Sequence, residues 1–321
     1  MSGDSSVRDK TRDAVLQAAA ALSYTPNRAA SALGKQRQVT FAVVYTKPSE
    51  VYFRELELGF RRCAEELFDY GLNLQYFTTA ESSWEAQNAI LHQLLDLTEL
   101  DGVIIQPVSA TKLDNAINQL TARGIPVVTV GSDAPDSQRL CFVGCDAIKS
   151  GRIGGQLLAA FMGGQGHVFL DSGHSDQEQA KKRAEGLTAR LNEHHPQVKV
   201  YLPSDEDRQL STTDIITNLV KQHRIHGIFC TSGTSTVHLG QLLQRLDASH
   251  VCLVGFDLSP EAEQLMREGW IRVILDQKPD VHAYEAVKLL FSYVTNGTRP
   301  AAAHILPIFP YTSECLSPIS D

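Results

Sequence analysis

From Gln38 onward, short β-branched apolar runs alternate with longer segments whose apolar positions recur every three to four residues. That alternation predicts βαβ units and parallel sheets. Strands are expected near residues 40–45, 72–77, 102–106 and 125–130, with helices near 53–69, 83–97 and 111–123 between them. A second set starts at a strand near 141–143 and continues through strands near 167–170, 198–202, 227–230 and 251–255. Its helices are expected near 148–161, 177–192, 212–222 and 237–245. The tail, with a strand near 271–275, a helix near 279–296 and a strand near 305–309, is short for a third domain and is expected to return to both sheets. The fold class is therefore α/β: two doubly wound, Rossmann-like subdomains joined by a hinge that the chain crosses three times. Open sheets of this kind bind ligands beyond the carboxyl ends of their strands, so a ligand cleft is expected at that hinge.

The pattern changes ahead of Gln38. Ala14, Val15, Ala18, Ala19 and Leu22 recur at helical spacing, Lys10 and Arg12 sit in the first turn, and Pro26 ends the helix before a second can start at Asn27. Gly34 reads as the stop of that second helix. Residues 1–40 hold six Lys or Arg against three Asp, in a chain whose net charge is −8. Only this end suits a polyanion. Read without further context, it is also compatible with an ordinary amphipathic helix.

Composition narrows the classes further. The 321 residues, 43% of them hydrophobic, suffice for two core-bearing units. No apolar run approaches a membrane span and residues 1–37 contain no signal-peptide core, so a cytoplasmic location is expected. Cys63, Cys141, Cys145, Cys230, Cys252 and Cys315 show neither disulfide-framework nor metal-ligand spacing and are expected to be buried thiols. The sequon Asn296-Gly297-Thr298 would be unused in that compartment.

Catalytic patterns are weak. Gly163-Gly164-Gln165-Gly166 lacks the six-residue glycine fingerprint and reads as a helix stop before a strand. His194-His195 sits beside Pro196 with no third ligand in sight. Ser232-Gly233-Thr234-Ser235 is not a nucleophile elbow. An enzyme is not expected, nor is a cofactor or metal.

The segment from Val7 to Leu33 resembles the lactose-repressor (LacI/GalR) family of bacterial transcription regulators. Thr11, Arg12, Val15, Ala18, Ala19, Leu22, Tyr24, Pro26, Asn27, Ala30 and Leu33 fill the pattern of that family's third headpiece helix and hinge. The resemblance implies DNA contacts from Arg8, Lys10, Arg12, Tyr24, Asn27, Arg28, Ala30 and Leu33, with Lys35 adding a phosphate contact. Leu33 takes the place of the leucine that wedges into the minor groove. The N-terminal part of the helix-turn-helix, which reads the major groove in that family, is missing ahead of Val7. Operator binding by this chain is accordingly expected to be weak or absent.

The remainder resembles the type I periplasmic sugar-binding fold that serves as the family's effector core. The carrying motifs are 125–136 with Arg139 and Val143-Gly144-Cys145-Asp146, then Arg183 with Gly186, Gly255-Phe256-Asp257, and Asp276-Gln277-Lys278-Pro279. Each is weak alone, but they occur in order over most of the chain.

The resemblance implies an effector site in which Tyr52 and Phe53 form a stacking wall and Glu50 a polar contact. Asp133, Arg183, Asp257 and Gln277 would form the hydrogen-bonding set. Those side-chain types suit a polyhydroxylated ligand, a sugar or sugar derivative, because amides, carboxylates and a guanidinium pair with vicinal hydroxyls. For Tyr52 and Phe53 the competing reading is core packing, for Asp257 a helix cap ahead of Ser259-Pro260, and for Arg183 a solvated helix face. Ala147 after Asp146 and the run Thr231–Thr236 depart from the family's usual residues and leave a nucleobase or another metabolite open as ligand.

The implied organisation is a partial headpiece and hinge over 1–37 and an effector domain over 38–321. Its N-subdomain takes about 38–139 and 276–301, and its C-subdomain about 140–275 and 302–321. The implied function is a ligand-responsive regulator acting as a homodimer, with a cytoplasmic sugar-binding module that does not touch DNA as the alternative.

Overall fold

A computed structural model describes residues 38–46, 51–171, 178–201 and 210–317. The strands are β1 Val39–Thr46, β2 Leu72–Thr79, β3 Gly102–Ile105, β4 Val127–Val130, β5 Cys141–Cys145, β6 Gly166–Asp171, β7 Val198–Tyr201, β8 Gly227–Cys230, β9 Cys252–Phe256, β10 Val273–Asp276, β11 Ala303–Leu306 and β12 Phe309–Tyr311. Between them run helices α1 Val51–Glu66, α2 Trp84–Leu95, α3 Asp114–Ala122, α4 Ala147–Phe161, α5 Glu178–His194, α6 Thr212–Lys221, α7 Gly233–Arg245, α8 Pro260–Arg267 and α9 Pro279–Asn296.

These elements make two six-stranded sheets, ordered β11-β5-β4-β3-β1-β2 and β12-β10-β9-β8-β6-β7. All pairings are parallel except β10 with β12. Every residue of β1 is buried, as expected for a strand covered by helices on both faces. Alternation along it separates two cores: Phe41, Val43 and Tyr45 pack under α1 and α9, while Ala42 and Val44 pack under α2 and α3. The second sheet is covered likewise, by α4 and α5 on one face and by α6, α7 and α8 on the other. Ser83, Ser211, Ser232 and Ser259 cap α2, α6, α7 and α8 through their side chains, and Asp146 caps α4.

Two strands sit elsewhere than the sequence pattern placed them. Strand β5, expected to open the second set, is hydrogen-bonded to β4 and belongs to the first sheet. The tail strand expected near 305–309 is two strands broken at Pro307, β11 pairing with β5 in the first sheet and β12 with β10 in the second. Proline donates no ladder hydrogen bond, so it separates the two pairings. The three passages between sheets therefore fall between β5 and α4, between β10 and α9, and between β11 and β12.

Not all cysteines are buried. Cys63, Cys141, Cys145 and Cys230 are, but Cys252 is half-buried and Cys315 exposed, because β9 begins at Cys252 on a sheet end and Cys315 lies in a surface turn after β12. Gly163 and Gly164 adopt positive φ at the end of α4, ahead of β6. His194 closes α5.

Candidate functional site

Both sheets direct the carboxyl ends of their strands toward the hinge passages, and the polar residues that follow those ends converge there. Arg183 projects from the second turn of α5 and is buried to 8% exposure rather than solvated. Its Nη1 donates to the Thr231 carbonyl oxygen at 2.6 Å, after β8, and its Nη2 donates to Gln277 Oε1 at 2.6 Å. The guanidinium carbon lies 3.9 Å from the centre of the Phe256 ring, a stacked geometry that holds the donor fork in plane. Gln277, in the passage from β10 to α9, donates from Nε2 to Asp257 Oδ1 at 2.7 Å. Four segments of the second sheet are thus tied into one array, from Thr231 through Arg183 and Gln277 to Asp257.

Asp257 follows β9 with a positive φ of 63° and is 8% exposed. It is not a helix cap, since Ser259 caps α8. Burial pushes its carboxyl up to about 6, a rise only partly offset by the Arg183 charge and the hydrogen bonds from Gln277 and the Gly233 backbone. Burial likewise lowers the Arg183 pKa, against the opposing pull of Asp257. Neither charge pairs directly with the other; Gln277 stands between them. The buried Arg183 Nε has no hydrogen-bond partner among the described residues.

Across from this array stands the first sheet. Tyr52, in the first turn of α1, lies so close to Gly131 that a Cβ on residue 131 would come within 1.8 Å of Oη. Burial raises the Tyr52 pKa, with Asp257 raising it further and Arg183 opposing, so the phenol reaches the electrostatic range of the other sheet's array. Gln106 follows β3. Its backbone oxygen accepts from Gln87 Nε2 at 2.9 Å and its Nε2 donates to Ser132 Oγ at 3.2 Å, while its buried Oε1 has no partner among the described residues. Buried polar atoms are seldom left unpaired in a native protein, and Gln106 Oε1 and Arg183 Nε are two of six such side-chain atoms among the described residues.

Of the residues read from the sequence, the structure brings together Tyr52, Arg183, Asp257 and Gln277. Phe53 turns into the core at 7% exposure and stacks on Tyr45 at 6.2 Å, because it continues the apolar stripe of Leu56, Phe60 and Cys63 along α1. Asp133 is held by its own loop: Oδ1 accepts from Thr129 Oγ1 and the Ala134 amide, both at 2.8 Å, and from Arg139 Nε, while Oδ2 accepts from Arg139 Nη2 at 2.6 Å. Arg139 also donates to the Ala302 carbonyl, so this pair fastens the loop after β4 to the segment entering β11. Glu50 lies outside the described residues, as do Arg8, Lys10, Arg12, Tyr24, Asn27, Arg28, Ala30, Leu33 and Lys35. Sequence reasoning passed over Gln106, and it named Gly131 only within the 125–136 motif and Thr231 only within the divergent run 231–236. A polar residue closing a buried strand, as Gln106 does after Ile104-Ile105, was the available signal.

The hinge has its own centre. Cys145 Sγ, at the end of β5, lies 3.8 Å from the Gln277 carbonyl oxygen, 3.6 Å from that of Pro307 and 3.4 Å from His282 Nε2. All three passages therefore meet at one buried thiol, whose pKa burial pushes up to about 12.

The similarities to known proteins agree with this architecture. The ribose import binding protein of Escherichia coli is 26% identical over 273 residues, covering 83% of this chain and 87% of that protein. Among solved structures, a protein from Bacteroides fragilis assigned to the LacI transcriptional regulators superposes with a TM-score of 0.78 at 19% identity, over 87% of this chain and 98% of that one. An ABC transporter solute binding protein from Burkholderia graminis, in complex with D-arabinose, superposes with a TM-score of 0.76 at 20% identity, over 87% and 96%. At those identities the structural likenesses establish the fold. The family model described as periplasmic binding protein domain matches residues 41–298, and the chain accordingly belongs to the periplasmic binding protein domain family.

Proposed function

We propose that this chain binds an uncharged monosaccharide between its two sheets and couples that binding to operator DNA, as a homodimeric transcription regulator of the lactose-repressor type working in the cytoplasm. The observation that carries the ligand reading is the buried Arg183–Gln277–Asp257 array, in which Arg183 Nε has no hydrogen-bond partner among the described residues. One cation, one carboxyl and several amides and hydroxyls suit vicinal hydroxyl groups. A phosphate would need more than one cation, and Lys278 is engaged with Asp276 at 2.6 Å. The sugar-binding relatives favour the same ligand class.

Titration calorimetry with D-ribose, D-arabinose and D-allose tests this reading. Saturable binding that Gln277→Ala abolishes supports it, and absence of binding to any of them, by folded protein, overturns it.

The regulator part rests on the basic 1–40 segment and its match to the headpiece helix and hinge, together with a LacI-assigned structural relative. Fluorescence anisotropy with a random-sequence duplex at low salt is expected to show weak binding that salt removes and that Arg8→Ala with Arg12→Ala diminishes. Sugar binding without any DNA affinity in a chain extended by a complete headpiece would instead favour the sugar-binding module, a reading that the import-protein relative supports.

A further inference from the structure

Two loops at the end of the second sheet remote from the hinge carry a pair of histidines that the sugar cleft does not use. His223 follows α6 and His250 follows α7, just ahead of β8 and β9, which pair in parallel from Gly227 and Cys252. Both side chains are exposed, and their ring centres lie 5.9 Å apart with the planes inclined at 45°. The backbone that presents them is closed by hydrogen bonds. His223 N donates to the Val220 carbonyl oxygen and Arg224 N to that of Leu219, while Val251 N donates to that of Ala248 and Arg272 Nη2 to that of Ser249 at 3.0 Å. His223 also takes the left-handed conformation that ends its helix, with φ 52°. Glycine does this at the ends of α3, α4, α8 and α9, as Gly124, Gly163, Gly269 and Gly297, because it has no Cβ to strain. A histidine there holds strain that a glycine would avoid, and such strain clusters at ligand sites.

We propose that His223 and His250 together bind one late first-row divalent transition-metal ion: Cu²⁺, Ni²⁺ or Zn²⁺. A metal–imidazole bond is about 2.0–2.1 Å long, so two rings sharing an ion have centres no more than about 6.5 Å apart. At 5.9 Å this pair encloses an ion at an open angle. His167 and His226 form a second pair, but at 6.3 Å they would need a nearly linear arrangement, and His226 Nδ1 already accepts from the His167 amide at 3.3 Å. Among the described residues no group of three or more His, Cys, Asp or Glu is placed to hold a metal ion, so the protein supplies two ligands and water the rest. Imidazoles select these ions over Mg²⁺ and Ca²⁺, with Cu²⁺ bound tightest. The neighbouring guanidiniums are engaged elsewhere, that of Arg224 over the Tyr201 ring at 5.5 Å and that of Arg272 on Ser249. A bound ion ties the loop between α6 and β8 to the loop between α7 and β9, and so stabilises the folded chain by mass action.

The test is titration calorimetry and thermal melting with Cu²⁺, Ni²⁺, Zn²⁺ and Mg²⁺, on the full chain freed of metal and of any affinity tag. All proteins carry Cys315→Ser, because that exposed thiol would also take these ions. The expected result is saturable binding of one transition-metal ion per chain, tightest for Cu²⁺, with a raised melting temperature and no response to Mg²⁺. Loss of an outer partner of a ligating histidine costs about 10–100-fold in metal affinity, and loss of a ligand should cost no less. His223→Asn, which suits the left-handed conformation, and His250→Ala should therefore each weaken binding by about tenfold or more, with the double variant little worse than either. His167→Ala should bind as the parent does. No saturable binding by the parent, or binding that survives both His223→Asn and His250→Ala, overturns the proposal. A loss in His167→Ala alone assigns the ion to the other pair and overturns it as well. None of these outcomes bears on the sugar cleft.

Discussion

At the scale of single residues, the site places two opposite charges in a buried setting and keeps them apart by an amide. Asp257, with a carboxyl pushed up to about 6, is protonated more readily in the folded chain than in the unfolded one. Its contribution to stability is therefore complete below the ordinary carboxyl value of 3.8 and is lost as pH rises through 6, on the order of 3 kcal/mol in all. Asp257→Asn, which keeps an acceptor for Gln277, is expected to melt no lower than wild type at pH 7 while losing sugar affinity; a clear drop in melting temperature would contradict the burial penalty. In the wild type, sugar affinity should weaken by up to tenfold per pH unit below 6, a slope that Asp257→Asn should flatten. Arg183→Lys should weaken binding by about 1.5–3 kcal/mol, since an ammonium cannot supply the two forked donors and the stacked plane together. The sequence pointed to these three residues through their motifs. It could not show that Phe53 and Asp133 are spent on packing and on Arg139, because a side chain's partner is decided by neighbours distant in the chain.

At the scale of elements, the spacing from Arg183 to Gly186 has a packing cause. Helices α4 and α5 lie so close that a Cβ on Gly186 would stand 2.1 Å from the Ile148 carbonyl oxygen, and one on Gly151 would stand 2.0 Å from that of Arg183. The close approach carries Arg183 under the strand ends. Gly186→Ala should therefore destabilise by about 1–3 kcal/mol and weaken sugar binding as well, because α5 has to move; melting and calorimetry on the same variant check both. A loss of stability with unaltered affinity would mean that Arg183 is positioned independently of this seam. Strand positions were mostly legible, since buried parallel strands appear as continuous apolar runs such as Val39–Thr46. Sheet membership was not: β5 and β11 carry no sequence mark of the sheet they join.

At the scale of the molecule, three passages meet at Cys145, and any opening of the cleft must change the surroundings of that thiol. Cys315 is exposed, and hydrogen bonds from Thr312 lower its pKa, so a thiol reagent followed by mass spectrometry should modify it first. Cys145 should react slowly, and more slowly still with saturating sugar. Equal rates at Cys145 with and without sugar would show that ligand binding does not close this hinge.

The chain's own residue pattern determined that there would be two α/β units joined by a three-passage hinge, because hydrophobic period is a local property; the candidate binding residues came from the family resemblance. Only the tertiary structure decided where the passages fall, that Arg183 and Asp257 are joined through Gln277, and that Tyr52 stands over Gly131. Those outcomes depend on which strands pair and how closely backbones approach, and both are set by packing between residues far apart in sequence.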